Sequence, residues 1–239
     1  MKSTILLVLL ALGLNLSAQN SACKAELKRI VHAMGATQFP EDGQVYRMNF
    51  STDYTMWDPA ATNTRNLNVE MLMSNEQLYY DAGDMLVLQD LKDAFIILKS
   101  QKLVMRSVTA TAPNQQARIN QLTLFRDSLI DQCRIERCEE VKLDEQWCKS
   151  VVLVPEPSVA RKLKLVDLRI VYDPATLAMK RVTINHNKAS DIKQTVMRYH
   201  IVDYDFDKGL NKPVASHIVN RNGQLLPRFK GYQLLDHRN

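Results

Sequence analysis

The reactive side chains of this sequence are few and scattered, with four cysteines and five histidines among 239 residues. Cys23, Cys133, Cys138 and Cys148 are spaced neither as Cys-x-x-Cys nor as a zinc-ligand set, which argues against redox catalysis and against a metal. They read as staples in a compartment that permits disulfides. Cys138 and Cys148 flank an expected hairpin turn near Asp144 and are the expected pair, with Cys133–Cys138 as the alternative. His32, His186, His200, His217 and His237 contain no His-x-x-x-His pair. His200 and His217 fall on expected neighbouring strands, yet a two-histidine site needs further ligands. Seven glycines leave little material for a phosphate-cradling loop, and no Gly-x-Ser-x-Gly elbow is present. The carboxylates are dispersed. These residues predict a protein that is not an enzyme and that uses no metal or cofactor.

What is abundant is apolar and pliable. There are ten methionines, and Met48, Met71, Met73, Met85, Met105, Met179 and Met197 fall on expected strands. Methionine adapts to irregular space and variable partners. The strands themselves are read from alternation. Tyr46, Met48 and Phe50 alternate with Arg47 and Asn49, and Val69, Met71 and Met73 repeat the pattern. Apolar runs at 78–80, 85–88, 94–98 and 103–105 follow, separated by breaks too short for parallel crossovers, so an antiparallel meander is expected. Strands resume at 139–143 and 147–154. Val166, Leu168, Ile170 and Tyr172 alternate up to a turn at Asp173-Pro174, and 177–186 and 194–206 continue the series. Residues 214–220 and 224–235 read as a hairpin joined at Asn222-Gly223. Two helices break this rhythm. One carries Leu27, Ile30, Val31 and Met34 on one face, and the other carries Ile119, Leu122, Phe125, Leu129 and Ile130.

The N-terminus reads as an export signal, with Lys2 followed by an apolar run from Ile5 to Leu16. That run is too short to span a bilayer, which needs roughly 20 residues, but it suits a signal core. Residues 1–18 are the expected signal, cut after Leu16-Ser17-Ala18. The alternative is cleavage before Cys23, in a lipobox-like Asn20-Ser21-Ala22-Cys23, with Cys23 lipidated. Residues 19–239 then form one domain. With 46% hydrophobic and 24% charged residues the composition is that of a globular chain. The net charge of +5 is concentrated between Ser158 and Arg198. Such a region is either a solvated sheet face or a contact for an anionic membrane surface or an envelope protein. Export makes nucleic acid a poor partner.

The order of elements resembles the periplasmic lipoprotein-carrier fold of the LolA/LolB type. The resemblance rests on the 27–34 helix, the double strand at 94–106, the hairpin from Cys138 to Pro155 and the hairpin around Asp173-Pro174. It implies a mainly β (α+β) fold, an antiparallel open or incomplete β-barrel with helices packed over its concave side. It also implies the periplasm of a Gram-negative bacterium and a lipid, or the acyl chains of a lipoprotein, as ligand. By alternation, Tyr46, Met48, Phe50, Val69, Met71, Met73, Phe95 and Ile97 are the expected lining, with 110–131 as a lid. The competing expectation is an envelope interaction or scaffold protein with a filled core and no small ligand.

Overall fold

The structure, a computed structural model, describes residues 21–30, 43–58, 66–109, 130–203, 205–206 and 213–238. The predicted signal at 1–18, and residues 110–129 of the predicted second helix and lid, lie outside them. Among the described residues twelve strands pair in the order β12-β6-β5-β4-β3-β2-β1-β11-β10-β9-β8-β7, in a sheet that does not close. The pairing is antiparallel, as expected from the short loops, except between β12 (Gln233–Asp236) and β6 (Leu103–Val108), which run parallel. The chain divides into two compact units. One holds Met1–Gly35, Tyr54–Thr64 and Thr123–Met197; the other holds Ala36–Asp53, Arg65–Leu122 and Arg198–Asn239.

In the first unit, β7 (Cys133–Leu143) and β8 (Gln146–Pro155) meet at Asp144-Glu145, the expected hairpin turn. Both turn residues have positive φ, the twist that a two-residue loop needs between right-twisted strands. β9 (Leu165–Tyr172) pairs with β8, and β10 (Met179–His186) pairs with β9. The Asp173 carboxylate accepts the Ala175 N–H, closing the predicted Asp-Pro turn. Among the described residues this unit also has helical segments at 21–30 (α1), before the strands, and at Pro157–Leu163 (α2), between β8 and β9. The second is not revealed by alternation. Pro157 suits its first turn, and Lys164 ends it in the left-handed conformation. β7 is the outermost strand; a bulge between Ile135 and Arg137 and a run of charged side chains blunt its open edge.

Of the expected stripe of this first helix, Leu27 and Ile30 of α1 are buried, as is Cys23, while Val31 and Met34 lie outside the described residues. Register places Cys138, Val151, Leu153, Ile170 and Tyr172 on one sheet face, and Cys23 bonds Cys138 from the helix, so α1 lies over that face. Glu26 accepts hydrogen bonds from Lys149 (2.7 Å) and from the Tyr172 hydroxyl (2.6 Å). Burial works against the charge of Glu26, but the Lys149 and Tyr172 hydrogen bonds and the Lys149 and Arg29 charges outweigh it and lower its pKa. Burial, and then the bond to Glu26, push the Tyr172 phenol up.

The Cys23–Cys138 disulfide corrects both cysteine expectations. Cys138 lies opposite Val151 while Cys148 lies opposite Val141, so their side chains leave opposite faces of the hairpin. Cys133 and Cys138 share one extended strand, where five residues span about 16 Å, far beyond disulfide reach. The sulfur that the lipidation alternative would use, that of Cys23, is bonded to Cys138 in this structure. Cys133 and Cys148 are free and buried, and burial raises both thiols.

Non-reducing peptide mapping is expected to return one cross-linked pair, Cys23 with Cys138, unchanged in Cys148→Ser; a Cys138–Cys148 peptide would refute the pairing. Cys138→Ser, which opens a loop with a separation of 115 residues, should cost about 2–5 kcal/mol in urea unfolding. Glu26→Gln should cost about 1.5–3 kcal/mol at neutral pH. Because the folded pKa of Glu26 lies below the ordinary 4.5, that difference is present above pH 4.5 and lost as pH falls through the folded value. Unfolding curves of both proteins between pH 7 and pH 3 check this.

Candidate functional site

The second unit carries a sheet with two dissimilar faces. β1 (Tyr46–Met56) pairs with β2 (Leu67–Met73), setting Tyr46 opposite Met73, Met48 opposite Met71 and Phe50 opposite Val69. Next, Met71 lies opposite Tyr80 of β3 (Leu78–Ala82), and Tyr80 opposite Val87 of β4 (Met85–Gln89). Val87 lies opposite Ile96 of β5 (Asp93–Leu98), and Ile96 opposite Met105 of β6. Directly opposed residues share a face. One row therefore runs Met48, Met71, Tyr80, Val87, Ile96, Met105 without a charge. The rows on either side add Tyr46, Met73 and Leu78, and Phe50, Val69, Ala82, Met85, Leu98 and Leu103. Tyr199 of β11 (Ile192–Asp203) stacks at 5.4 Å on Phe50. Tyr46, Met48 and Val69 are buried, while Met71, Met73, Tyr80, Val87, Ile96 and Met105 are half-buried.

The opposite face differs along its length. Near β1, β2 and β11 it is polar: Arg47 pairs with Glu70 at 3.0 Å, Arg198 with Asp53, and Ser51 with His200 at 3.0 Å. Ser51 and His200 are within nucleophile–base distance, but the adjacent carboxylate, Asp53, is held by Arg198. Over β4, β5 and β6 this face is filled. Leu88, Phe95, Ile97 and Val104 form one cluster with Val214, Ile218 and Val219 of the C-terminal segment. That segment is held at its start by the Asp90 carboxylate, which accepts the Val214 N–H, and at its end by β12. Burial opposes the charge of Asp90, but backbone hydrogen bonds from Asp93, Lys92 and Val214 prevail and lower its pKa.

Pairing thus assembles Tyr46, Met48, Phe50, Val69, Met71 and Met73 on the apolar face and separates Phe95 and Ile97, which lie in the filled cluster behind the sheet. This corrects their placement as lining residues. Ala94–Leu98 is apolar on both faces, so alternation carries no phase there; the same ambiguity hid Tyr80, Val87, Ile96 and Met105. The expected C-terminal hairpin is corrected as well. Asn222-Gly223 does turn, with the Asn220 N–H donating to the Gln224 carbonyl. Its arms are instead the 3-10 turns Val214–His217 and Pro227–Phe229, with a single bridge from Val219 to Leu225. Val214, Ile218 and Val219 are spaced to point one way from a turn, and Pro227 lacks the N–H that a strand would use.

No protein-family model matches this chain, and no curated protein matches it. Among solved structures it is similar to an uncharacterized conserved protein from Thermus thermophilus, with 8% identity, 90% of this chain and 99% of that one covered, and a TM-score of 0.43. It is also similar to a LolA superfamily protein from Nitrosomonas europaea, with 9% identity, 75% and 93% covered, and a TM-score of 0.28. A third is the Mycobacterium tuberculosis lipoprotein LppX, with 11% identity, 78% and 100% covered, and a TM-score of 0.38.

Two neighbouring side chains on β5 test the division of faces. Phe95→Ala should cost about 3–5 kcal/mol in urea unfolding, as a cavity in a filled cluster does. Ile96→Thr, on the half-buried apolar face, should cost less than about 1.5 kcal/mol. Equal costs would remove the distinction.

Proposed function

We propose that this protein is an exported lipid-binding protein of the carrier type, whose apolar face on β1–β6 takes the hydrocarbon chains of a lipid or lipoprotein. The observation that supports this most is the uncharged row Met48–Met71–Tyr80–Val87–Ile96–Met105, crossing strands whose other face is either polar or already filled. The binding is non-covalent. Each methylene moved from water to such a face gains about 0.8 kcal/mol. With no charge in the row, a lipid headgroup would remain away from these side chains, because an unpaired charge is costly to desolvate. Methionine accommodates chains of differing length and unsaturation without a fixed shape. The Cys23–Cys138 disulfide suits an oxidising compartment, and the periplasm of a Gram-negative bacterium is the proposed location.

Native mass spectrometry of the mature protein, purified without detergent, is the direct test. A bound mass released as a lipid or acylated peptide is expected. Met71→Asp and Val87→Asp should each weaken uptake of a fluorescent fatty acid at least tenfold, as roughly 1.4 kcal/mol or more would, while circular dichroism stays unchanged. A ligand-free mass together with no uptake of added lipid would instead favour an envelope interaction protein.

A further inference from the structure

We propose that one end of the first unit is a docking surface for an anionic lipid bilayer, with Trp57 at its centre. Trp57 is 37% exposed although its polar atoms are satisfied. Its indole N–H donates to the Asn187 carbonyl at 3.2 Å, and its backbone N–H donates to the Asp191 carbonyl at 3.0 Å. The ring is thus fixed beside the β10–β11 turn with an apolar surface left open. An aromatic side chain anchored at its polar edge suits the boundary between water and lipid headgroups.

Cations surround it. Lys193 lies over the ring, 5.6 Å from its centroid. Lys188 follows Asn187 in the same turn, and the Asn187 N–H donates to the Lys164 carbonyl at 2.9 Å, bringing the end of α2 and its Lys162 alongside. Val166, two residues beyond Lys164, adds an apolar side chain that is 49% exposed. Elsewhere in this unit Lys24, Lys28, Lys142, Lys149 and Arg169 are ion-paired. Among the described residues, Lys162, Lys164, Lys188 and Lys193 form no ion pair. The carboxylates at this end are Asp58, Glu156, Asp167 and Asp191, and with Arg161 added the five cations still outnumber them. Unpaired lysines around an open tryptophan match a bilayer that is negative at its surface and apolar beneath. A filled sheet face that merely stays in solution has no use for the open ring. The charge concentrated between Ser158 and Arg198 thereby acquires a partner of defined chemistry.

The test uses the full mature chain carrying Trp147→Phe, which leaves Trp57 as the reporter in a protein with two tryptophans. Phosphatidylglycerol-containing vesicles should cosediment the protein and shift Trp57 emission to the blue, while pure phosphatidylcholine vesicles should do neither. Raising the salt should reverse both effects. Lys188→Glu with Lys193→Glu, at exposed positions, should lower partitioning at least about tenfold. Met71→Asp should leave it unchanged, which separates docking from capture of lipid by the apolar face of the other unit. Equal binding to both vesicles, full binding by the lysine double variant, or loss of binding in Met71→Asp would each overturn the proposal. So would binding to polyglutamate without binding to anionic vesicles, which would identify an acidic polypeptide as the partner.

Discussion

Hydrogen-bond register is the constraint on which the rest of the second unit depends. Once Tyr46 lies opposite Met73, the short loops pass the same parity from strand to strand as far as Met105. A slip of one residue would exchange the faces of every later strand. Asp81 and Arg106 would then enter the apolar row, and Ile96 would meet the C-terminal segment. As built, Arg106 is buried on the other face, stacked 5.1 Å from the Phe95 centroid and paired with Asp93 at 2.8 Å. A buried guanidinium is tolerable only with such a partner. Specifying one register therefore builds a filled core and an uncharged apolar surface at once, on the two sides of one layer.

The first unit solves a different problem, the attachment of a helix to the sheet. α1 is held by three kinds of contact. Leu27 and Ile30 are buried, Glu26 joins β8 and β9 through Lys149 and Tyr172, and Cys23 is covalently tied to β7. Lys24 and Lys28 add an exposed pair of links to Asp131, which contribute least. The polar link and the disulfide lie on the same helix, so the orientation of its apolar stripe is determined from both sides.

Much of the fold was legible because its strands advertise themselves. Alternation at Tyr46–Phe50 and at Val166–Tyr172 locates strands with their phase, and the Asp144, Asp173 and Asn222-Gly223 turns fall where the turn residues say. Legibility fails where a segment is apolar on both sides or where the decisive contact is remote. Ala94–Leu98 has no phase of its own, so Phe95 and Ile97 could be assigned to a face only through the two-residue loop Gly83-Asp84 and the pairs beyond it. The Cys23–Cys138 bond joins segments 115 residues apart, and no local spacing contains that information. Parallel pairing of β12 with β6 is hidden for the same reason, since the two strands are separated in the chain by the five strands β7 to β11.

That parallel strand imposes an order on biosynthesis. The wall behind Phe95, Ile97 and Val104 is made of Val214, Ile218 and Val219, and the strand that secures it follows the other eleven in chain order. A nascent chain emerging N-terminus first can pair β1 through β6 long before it can cover their rear surface. During that interval the growing polypeptide shows grease on both sides of one layer, the condition under which chains stick to chaperones or to one another. Completion of this half of the molecule consequently waits for the last strand of the chain, and a chain cut short before Val214 would leave its earliest strands permanently uncovered.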